Sequence, residues 1–387
     1  MPLYKNVPEP SGRMGLIWSL ATIYDSAVIE YGSMGHMLYA QKWMSQTGLI
    51  KYGELISTHL SEKDIALGIT KRLEECVKEV VTLDRAKAIF LIPSSVPEMI
   101  GTDLESIGEE LSAAYPSIPI ISFKAGNFKT SREQGMEEAY EKLVRYMSEK
   151  DGVGIDTLKK DSFNIFGISC DWSRFQADTA EICRMMKKGF DMEPAAILGS
   201  SCSMDQICQM TKAKITLVIR IEGLKAAKLL YKQWGIPYLY LAPYGLAGTL
   251  QWIKELENLL GKRAEQSFLI KEQEEVAHAK HICQLYTRLH KDRANIWISG
   301  EDELARGIRS FATDEIGFTF TQGGIHMSDG VELRDNPGVF SIEVRRSILS
   351  QSINPYELPF MGFRGALNLC GLWHQYMTDR AFQRFVM

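Results

Sequence analysis

The chain has 387 residues, a length that suits two or three domains of ordinary size. Apolar residues make up 45% and charged residues 24%, the balance of a globular protein with full hydrophobic cores. The formal net charge is -4, and no cluster of Lys or Arg stands out. Such a chain offers no basic field to a phosphate backbone, which argues against nucleic-acid binding, and no apolar run reaches the roughly 20 residues of a membrane span.

The apolar stretch 14–24 follows Arg13 and could be read as part of a signal peptide. Glu9 lies upstream and no small-residue cleavage site follows, so a buried helix is the favoured interpretation. A cytoplasmic location is then expected, with the seven cysteines as free thiols. None of them forms a CxxC pair or has zinc-site spacing.

Short apolar runs bounded by turn residues alternate with longer segments of helical period, which is typical of parallel α/β units. The predicted strands are 27–31, 55–58, 86–92, 118–123, 163–168, 195–198, 215–219, 238–241, 296–299 and 316–321. The predicted helices include 65–83, 99–114, 133–149, 177–190, 226–234 and one long charged helix over 261–292.

Two boundaries divide this pattern: a polar, Gly-containing segment at 148–161 and the long helix over 261–292. We therefore predict an N-terminal α/β domain over 1–155, joined by the C-terminal helix 364–387, a middle domain over 156–290 and a third over 291–363. The predicted fold class is α/β, with three Rossmann-like units whose mainly parallel sheets surround a central cleft.

Several predicted strands end in small polar residues, at 93–95, 199–203 and 299–300. Ligands bind at such strand ends in open parallel sheets, and the free N–H groups there can hold an anion. Helix capping, for example by Ser95 or Ser203, is the favoured alternative. No GxxxxGK[ST] phosphate-binding loop occurs in the sequence, so nucleotide hydrolysis by this chain is not expected.

Five segments in order resemble the component 1 family of nitrogenases, which includes the dark-operative protochlorophyllide reductase. They are AVIEYGSMGH at 27–36, STHLSEKDIALG at 57–68, PSSVPEMIGTDL at 93–104, WGIPY at 234–238 with APYGLAGT at 242–249, and PFMGFRGA at 359–366. The resemblance spans nearly the whole chain. It implies a homologous component 1-type partner subunit and an ATP-dependent iron–sulfur reductase as electron donor.

The departures from the family pattern limit what this chain can do alone. Family members that bind a cluster place three cysteines near the subunit interface. Here no cysteine precedes Cys76, the second position is His36 and the third is Ser95. Neutral serine is a poor iron ligand, so the chain by itself is not expected to hold an iron–sulfur cluster. Counting from the segments that resemble the family places the equivalents of the nitrogenase cofactor ligands near Ile219 and near Ser352. Neither residue can serve as such a ligand, so nitrogen reduction by this chain alone is not expected.

His36 is the candidate metal ligand, because the resemblance places its position at a cluster shared between subunits. A histidine that hydrogen-bonds backbone at a buried helix start is the alternative. Ser33, Ser94 and Ser95 are the remaining candidate cofactor-binding residues, as donors to cluster sulfur or as helix caps. A Glu275-x-x-His278 pair with His281 has the spacing of di-iron helices, but a solvated helix face is favoured.

Three functions remain open. The first is a subunit of a nitrogenase-like two-component oxidoreductase. The second is a non-catalytic scaffold for metal-cofactor assembly, and the third is a small-molecule or tetrapyrrole-binding module. The substrate is not indicated, nor whether the partner is a different chain or a second copy.

Overall fold

The computed structural model describes residues 9–32, 34–61, 63–64, 67, 70–95, 97, 101–124, 130–151, 161–336, 338–347, 350 and 357–383. It is an α/β protein with three four-stranded sheets. This confirms the predicted fold class of three α/β units. Among the described helices, none combines the length and apolar composition needed to cross a bilayer.

The first sheet has the strand order β2-β1-β3-β4, with parallel pairing throughout. Its strands are β1 (Ser26–Tyr31), β2 (Glu54–Ser57), β3 (Ala88–Pro93) and β4 (Ile120–Ser122). The helices that follow the first three strands are α2 (Met34–Ser45), α3 (Lys71–Thr82) and α4 (Leu104–Ala114). Strands β1 and β3 are buried along their whole length, which explains their near-continuous apolar sequence.

Helix α1 (Gly12–Leu20) is buried at all nine positions and packs against α5 (Arg132–Asp151). Glycines set how close the two helices approach. A Cβ atom on Gly15 would lie 2.0 Å from the carbonyl oxygen of Arg132, and one on Gly135 would lie 1.9 Å from that of Gly12. The apolar N-terminal segment is therefore a core helix, as predicted.

The middle sheet has the order β6-β5-β7-β8. Its strands are β5 (Ser162–Phe166), β6 (Glu193–Leu198), β7 (Ile215–Val218) and β8 (Tyr238–Tyr240), and its helices are α6 (Phe175–Phe190), α7 (Met204–Ile207), α8 (Leu224–Trp234) and α9 (Gly245–Leu260). At the start of α7, Ser203 and Gln206 form a reciprocal capping box. Capping, the favoured interpretation of this serine-rich turn, is thus confirmed for Ser203.

The third sheet follows the long helix α10 (Gln266–Leu289) and has the parallel order β10-β9-β11-β12. Its elements are β9 (Asn295–Ile298), α11 (Glu303–Ser310), a π-helix (Phe311–Ile316), β10 (Thr319–Phe320), β11 (Ile325–Asp329), α12 (Gly330–Asp335) and β12 (Phe340–Arg345). The predicted strand over 316–321 shrinks to two residues because the preceding turns are helical. Strands β11 and β12 were not predicted.

The last described element is α13 (Gly362–Gln383), which packs against α6, α9 and α10. Asp178 of α6 holds the segment that leads into it. One carboxylate oxygen of Asp178 accepts hydrogen bonds from the backbone N–H groups of Phe360 (2.7 Å) and Met361 (2.9 Å). The buried carboxylate thus fixes the entry to α13.

The chain divides into two compact units. One comprises Met1–Ser169, Ala195–Thr216 and Ile221–Tyr238, and the other comprises Cys170–Pro194, Leu217–Arg220 and Leu239–Met387. The contacts of α13 lie in the second unit, whereas the sequence grouped this helix with the first domain. The domain boundaries near 155 and 290 remain a prediction.

Candidate functional site

The carboxyl ends of β1, β2 and β3 lie side by side at one edge of the first sheet. Glu30 is in register with Ser57, and Tyr31 with Pro93. Because the strands are parallel, the turns that follow them lie at the same edge, which is where α/β proteins bind ligands. This edge carries the turns in which the candidate residues were predicted.

Gly32 is the meeting point of these turns. Its N–H donates to Oγ1 of Thr58 (3.0 Å), and its carbonyl oxygen accepts from the N–H of Leu60 (2.9 Å). On the other side, the N–H of Ser94 donates to the carbonyl oxygen of Tyr31 (3.0 Å). A Cβ atom on Gly32 would lie 2.2 Å from Oγ of Ser94, so glycine is what lets the two turns approach.

The structure buries the two described candidate serines. Ser94 is 2% exposed and Ser95 4% exposed. Ser94 packs against Gly32 from one side. The buried Thr58, in the turn after β2, is hydrogen-bonded to Gly32 from the other side. The described edge therefore offers backbone amides and hydroxyl groups in a closely packed turn.

A carboxylate links the described residues that follow β2 to helix α3. Asp64 accepts hydrogen bonds from the N–H (2.9 Å) and the hydroxyl (2.7 Å) of Ser61, and lies 3.0 Å from Nε of Arg72. These hydrogen bonds, and then the charge of Arg72, lower the pKa of Asp64. Arg72 also donates to the carbonyl oxygen of His59 (2.8 Å), which ties α3 to the loop.

The other two candidate residues are less fully described. Ser33 lies outside the described residues. The backbone of His36 lies in α2, which begins two residues after Gly32. The side chain of His36 lies outside the described part of the chain. The assignment of His36 as a metal ligand therefore stays a prediction.

The described residues do not fit an iron–sulfur cluster by themselves. Within the described ranges, no group of three or more His, Cys, Asp or Glu side chains could hold a metal ion. The described groups of the turns around Gly32, Thr58 and Ser94 are hydroxyls and amides, which are poor ligands for iron. A cluster at this position would need its thiolates from another chain.

Sequence reasoning missed a buried charge pair at the carboxyl ends of β5 and β7. Nη1 of Arg220 lies 2.8 and 3.0 Å from the two carboxylate oxygens of Asp171, and both side chains are 1% exposed. The guanidinium also lies 4.8 Å from the ring centre of Trp172. A charged residue directly after a buried apolar strand, as Arg220 follows 215–219, was the signal available in the sequence.

A second charge pair joins the ends of β9 and β12. Arg345 donates to both carboxylate oxygens of Asp302 and to the carbonyl oxygen of Ser299 (2.8 Å), and its guanidinium packs on Gly300. Burial acts to raise the pKa of Asp302, but the hydrogen bonds and charge of Arg345 outweigh it and lower the pKa. With Asp171 and Arg220, these residues form a neutralised polar core in the second unit.

The remaining positions singled out in the sequence are Ile219, Ser352 and the exposed face of α10 around Glu275. Ile219 is fully buried, and Ser352 lies outside the described residues. Glu275, His278 and His281 are exposed on α10, as expected for a solvated helix face. Among the described residues, no three or more His, Cys, Asp or Glu side chains lie close enough together to hold a metal ion.

The sequence model of the family described as "Nitrogenase component 1 type Oxidoreductase" matches residues 11–332. The chain belongs to this family.

Individual relatives are more distant. The chain is 26% identical to the nitrogenase iron-molybdenum cofactor biosynthesis protein NifE of Clostridium pasteurianum, over 88% of this chain and 72% of that protein. It is 23% identical to a light-independent protochlorophyllide reductase subunit of Zygnema circumcarinatum, over 52% of this chain and 40% of that protein. A solved structure titled "Nitrogenase Cp1 at pH 6.5" has the same fold, with a TM-score of 0.75, 15% identity, and coverage of 97% of this chain and 96% of that chain.

Proposed function

We propose that this chain is one subunit of a nitrogenase-like two-component reductase, in which a homologous, cysteine-bearing subunit completes the site at the edge of the first sheet. The observation that carries the proposal is the chemistry of that edge. The turns around Gly32, Thr58 and Ser94 lie in the segments that resemble the family, but their described groups are hydroxyls and amides. The thiolates for a shared iron–sulfur cluster would come from the partner, with His36 as the ligand from this chain.

Exposed apolar side chains on the segments that follow β1 and β2 support a partner surface. Met34 and Leu38 of α2 are 44% and 55% exposed, and Leu67, in the segment after β2, is 64% exposed. Large apolar side chains that face water on elements leading from a ligand-binding edge are typical of a protein interface. In the proposal, α2 contacts the homologous subunit.

Electrons would come from a separate ATP-dependent iron–sulfur reductase. The sequence contains no GxxxxGK[ST] loop, so the nucleotide chemistry has to reside elsewhere. The proposal places the complex in the cytoplasm, where the free thiols of this chain stay reduced.

A second candidate function is a scaffold on which a metal cofactor is assembled. The alignment with the NifE of C. pasteurianum favours it, because that relative is named for cofactor biosynthesis and its match covers 88% of this chain. The protochlorophyllide reductase relative aligns with about half of this chain. Both candidates share the partner subunit and differ in whether the complex turns over a substrate.

The test is purification of the tagged full-length chain from its own host, followed by identification of bound chains and iron and sulfide analysis. A homologous cysteine-bearing partner together with iron and sulfide supports the shared site. Turnover with an iron–sulfur reductase and ATP then selects the reductase, and metal transfer without turnover selects the scaffold. A metal-free monomer that binds a tetrapyrrole would overturn both.

A pair of variants locates the partner surface. Leu38→Glu places a charge on the exposed face of α2 and should release the partner. Leu259→Glu is the matched control, because Leu259 is a leucine of comparable exposure, 42%, on α9. Partner retention by both variants would contradict the assignment of α2 to the interface.

A further inference from the structure

The long helix α10 presents to solvent a face that no other described element covers. Of its 24 residues, four are buried, namely Leu269, Val276, Cys283 and Thr287, and these lie on one side of the helix. The opposite side carries an exposed stripe. The α10 stripe consists of Ile270, Glu274, Ala277, His281, Leu285 and Arg288.

The spacing of the stripe is that of a helix-pairing seam. Glu274, His281 and Arg288 follow one another at intervals of seven residues, and so do Ile270 and Ala277. A seven-residue interval returns to nearly the same side of a helix, which is the basis of coiled-coil pairing. Ile270 is 55% exposed and Leu285 is 42% exposed, so the seam carries large apolar groups as well as charges.

The charges of the stripe have no partners among the described residues. Glu274, His281 and Arg288 have no hydrogen bond or ion pair with any described part of the chain. By contrast, Lys280 of the same helix pairs with Glu315 at 3.1 Å. The stripe therefore combines exposed apolar side chains with an unpaired acid near one end and an unpaired base near the other.

We infer that the α10 stripe binds the same stripe of a second copy of this chain in an antiparallel pair. Glu274 and Arg288 lie seven residues on either side of His281, about 10 Å along the helix axis in each direction. An antiparallel pair centred on His281 therefore brings Glu274 of each copy opposite Arg288 of the other. It also sets the small Ala277 against the larger Leu285 at two symmetric positions.

Charge pattern selects the second copy as the occupant and fixes the direction. Two-fold pairing of a surface with itself requires self-complementarity, and a stripe with an acid and a base equidistant from its centre has that property. Parallel pairing would place Glu274 against Glu274 and Arg288 against Arg288, and like charges opposite each other oppose association. This contact is separate from the edge of the first sheet, so it goes beyond the proposed function and does not depend on it.

The test is sedimentation velocity of the full-length chain, or of its purified complex, over a concentration series. Glu274→Arg and Arg288→Glu should each weaken self-association by about tenfold or more, because each creates two like-charge contacts. The double variant Glu274→Arg/Arg288→Glu restores opposite charges and should recover the wild-type dissociation constant. Glu110→Arg, at an exposed acid on α4, is the control and should leave self-association unchanged.

Cross-linking gives an independent reading of the register. With His281→Cys, a mild disulfide oxidant should join the two substituted positions in a covalent dimer, because each lies at the two-fold axis. Peptide mapping separates this bond from any made by the native thiols. A wild-type chain that does not self-associate, a double variant no better than the single ones, or no cross-link at position 281 would each overturn the inference.

Discussion

Nη1 of Arg13 lies 2.7 Å from Oε1 of Glu30, and this ion pair joins the buried helix α1 to strand β1 two residues before the Gly32 turn. The Glu30 side chain is fully buried. Burial raises the pKa of Glu30, and the charge and hydrogen bond of Arg13 offset this only in part. The strand that leads into the candidate site thus carries a buried carboxylate that Arg13 helps to neutralise.

Arg13→Leu should therefore destabilise the protein by about 3–5 kcal/mol, because it removes a hydrogen-bonded counter-charge from the buried Glu30 carboxylate. Glu30→Leu should cost a comparable amount, and the double variant should cost much less than the sum. Denaturant unfolding of the four proteins measures the coupling. Lys71→Leu removes one side of the exposed Lys71–Glu75 pair and should change stability little. Additive losses from the two buried substitutions would show that the pair is not coupled.

Gly32→Ala should destabilise the strand-end turn by about 1–3 kcal/mol, because the new methyl group would lie 2.2 Å from Oγ and 2.3 Å from Cβ of Ser94. Ser94→Gly removes both atoms, so the double variant should recover most of the loss. Gly35→Ala is the control, since a Cβ atom there meets nothing described within 4 Å. Thermal unfolding of the three variants gives the measurement, and equal losses at Gly32 and Gly35 would mean that Ser94 does not set the constraint.

If His36 ligates a shared cluster, His36→Ala should lower the iron content of the complex or shift the cluster's potential. His36→Cys should keep the cluster at a lower potential, because thiolate adds a negative charge that disfavours reduction. Ser95→Ala should be nearly silent, as expected for a helix cap or a hydrogen-bond donor to cluster sulfur. Iron analysis and redox titration of the purified complex provide the readout. Unchanged iron and potential in His36→Ala would mean that the histidine is structural.

Asp178 should make stability fall as pH rises. Burial raises the pKa of Asp178 to about 7, although the N–H groups of Phe360 and Met361 and the charge of Arg174 oppose this and Glu181 adds to it. An unfolded aspartate titrates near 3.9, so the folded state holds this proton to higher pH. Its stabilising contribution is fully present below about pH 4 and is lost as pH rises through about 7.

Asp178→Asn keeps an acceptor for the two N–H groups and removes the charge. The variant should be more stable than the wild type at pH 8, by up to about 4 kcal/mol, and the difference should shrink towards pH 5. Denaturant unfolding at the two pH values measures this. Asp314→Asn is the control, because the hydroxyls of Ser310 and Thr313 lower the pKa of Asp314, so the change should not stabilise at pH 8. A pH-independent difference at Asp178 would contradict the assignment.

The first two sheets could be predicted from the sequence because their strands are short apolar runs between turn residues. The third could not be predicted in full. Strand β11 (Ile325–Asp329) carries His326 and Ser328, which are buried through contacts with Asn336 and Glu332. Because its polar side chains are hydrogen-bonded by residues outside the strand, β11 has no continuous apolar run. Strand β12 alternates apolar with polar residues, a period typical of a half-buried strand, so this signal was present in the sequence and was missed.

The candidate site, too, could be predicted from the sequence only in part. The family resemblance predicted that the Gly32 and Ser94 turns belong to one site, and β1 and β3 are adjacent in the sheet. The pairing of Asp171 with Arg220 joins residues 49 positions apart and exists only once both strands are in place. Single-sequence patterns report local periodicity, so charge pairs of this kind are not visible in them.

The packing of α1 against α5 has a consequence during synthesis on the ribosome. Roughly 110 residues separate the end of α1 from the start of its partner helix. At about 5–20 residues per second, α1 waits on the order of 5–20 s before the surface that buries it has been made. Throughout that interval the nascent chain carries a mostly apolar helical segment without its main packing partner. A folding factor that shields this segment should therefore affect the yield of the protein more than its final stability.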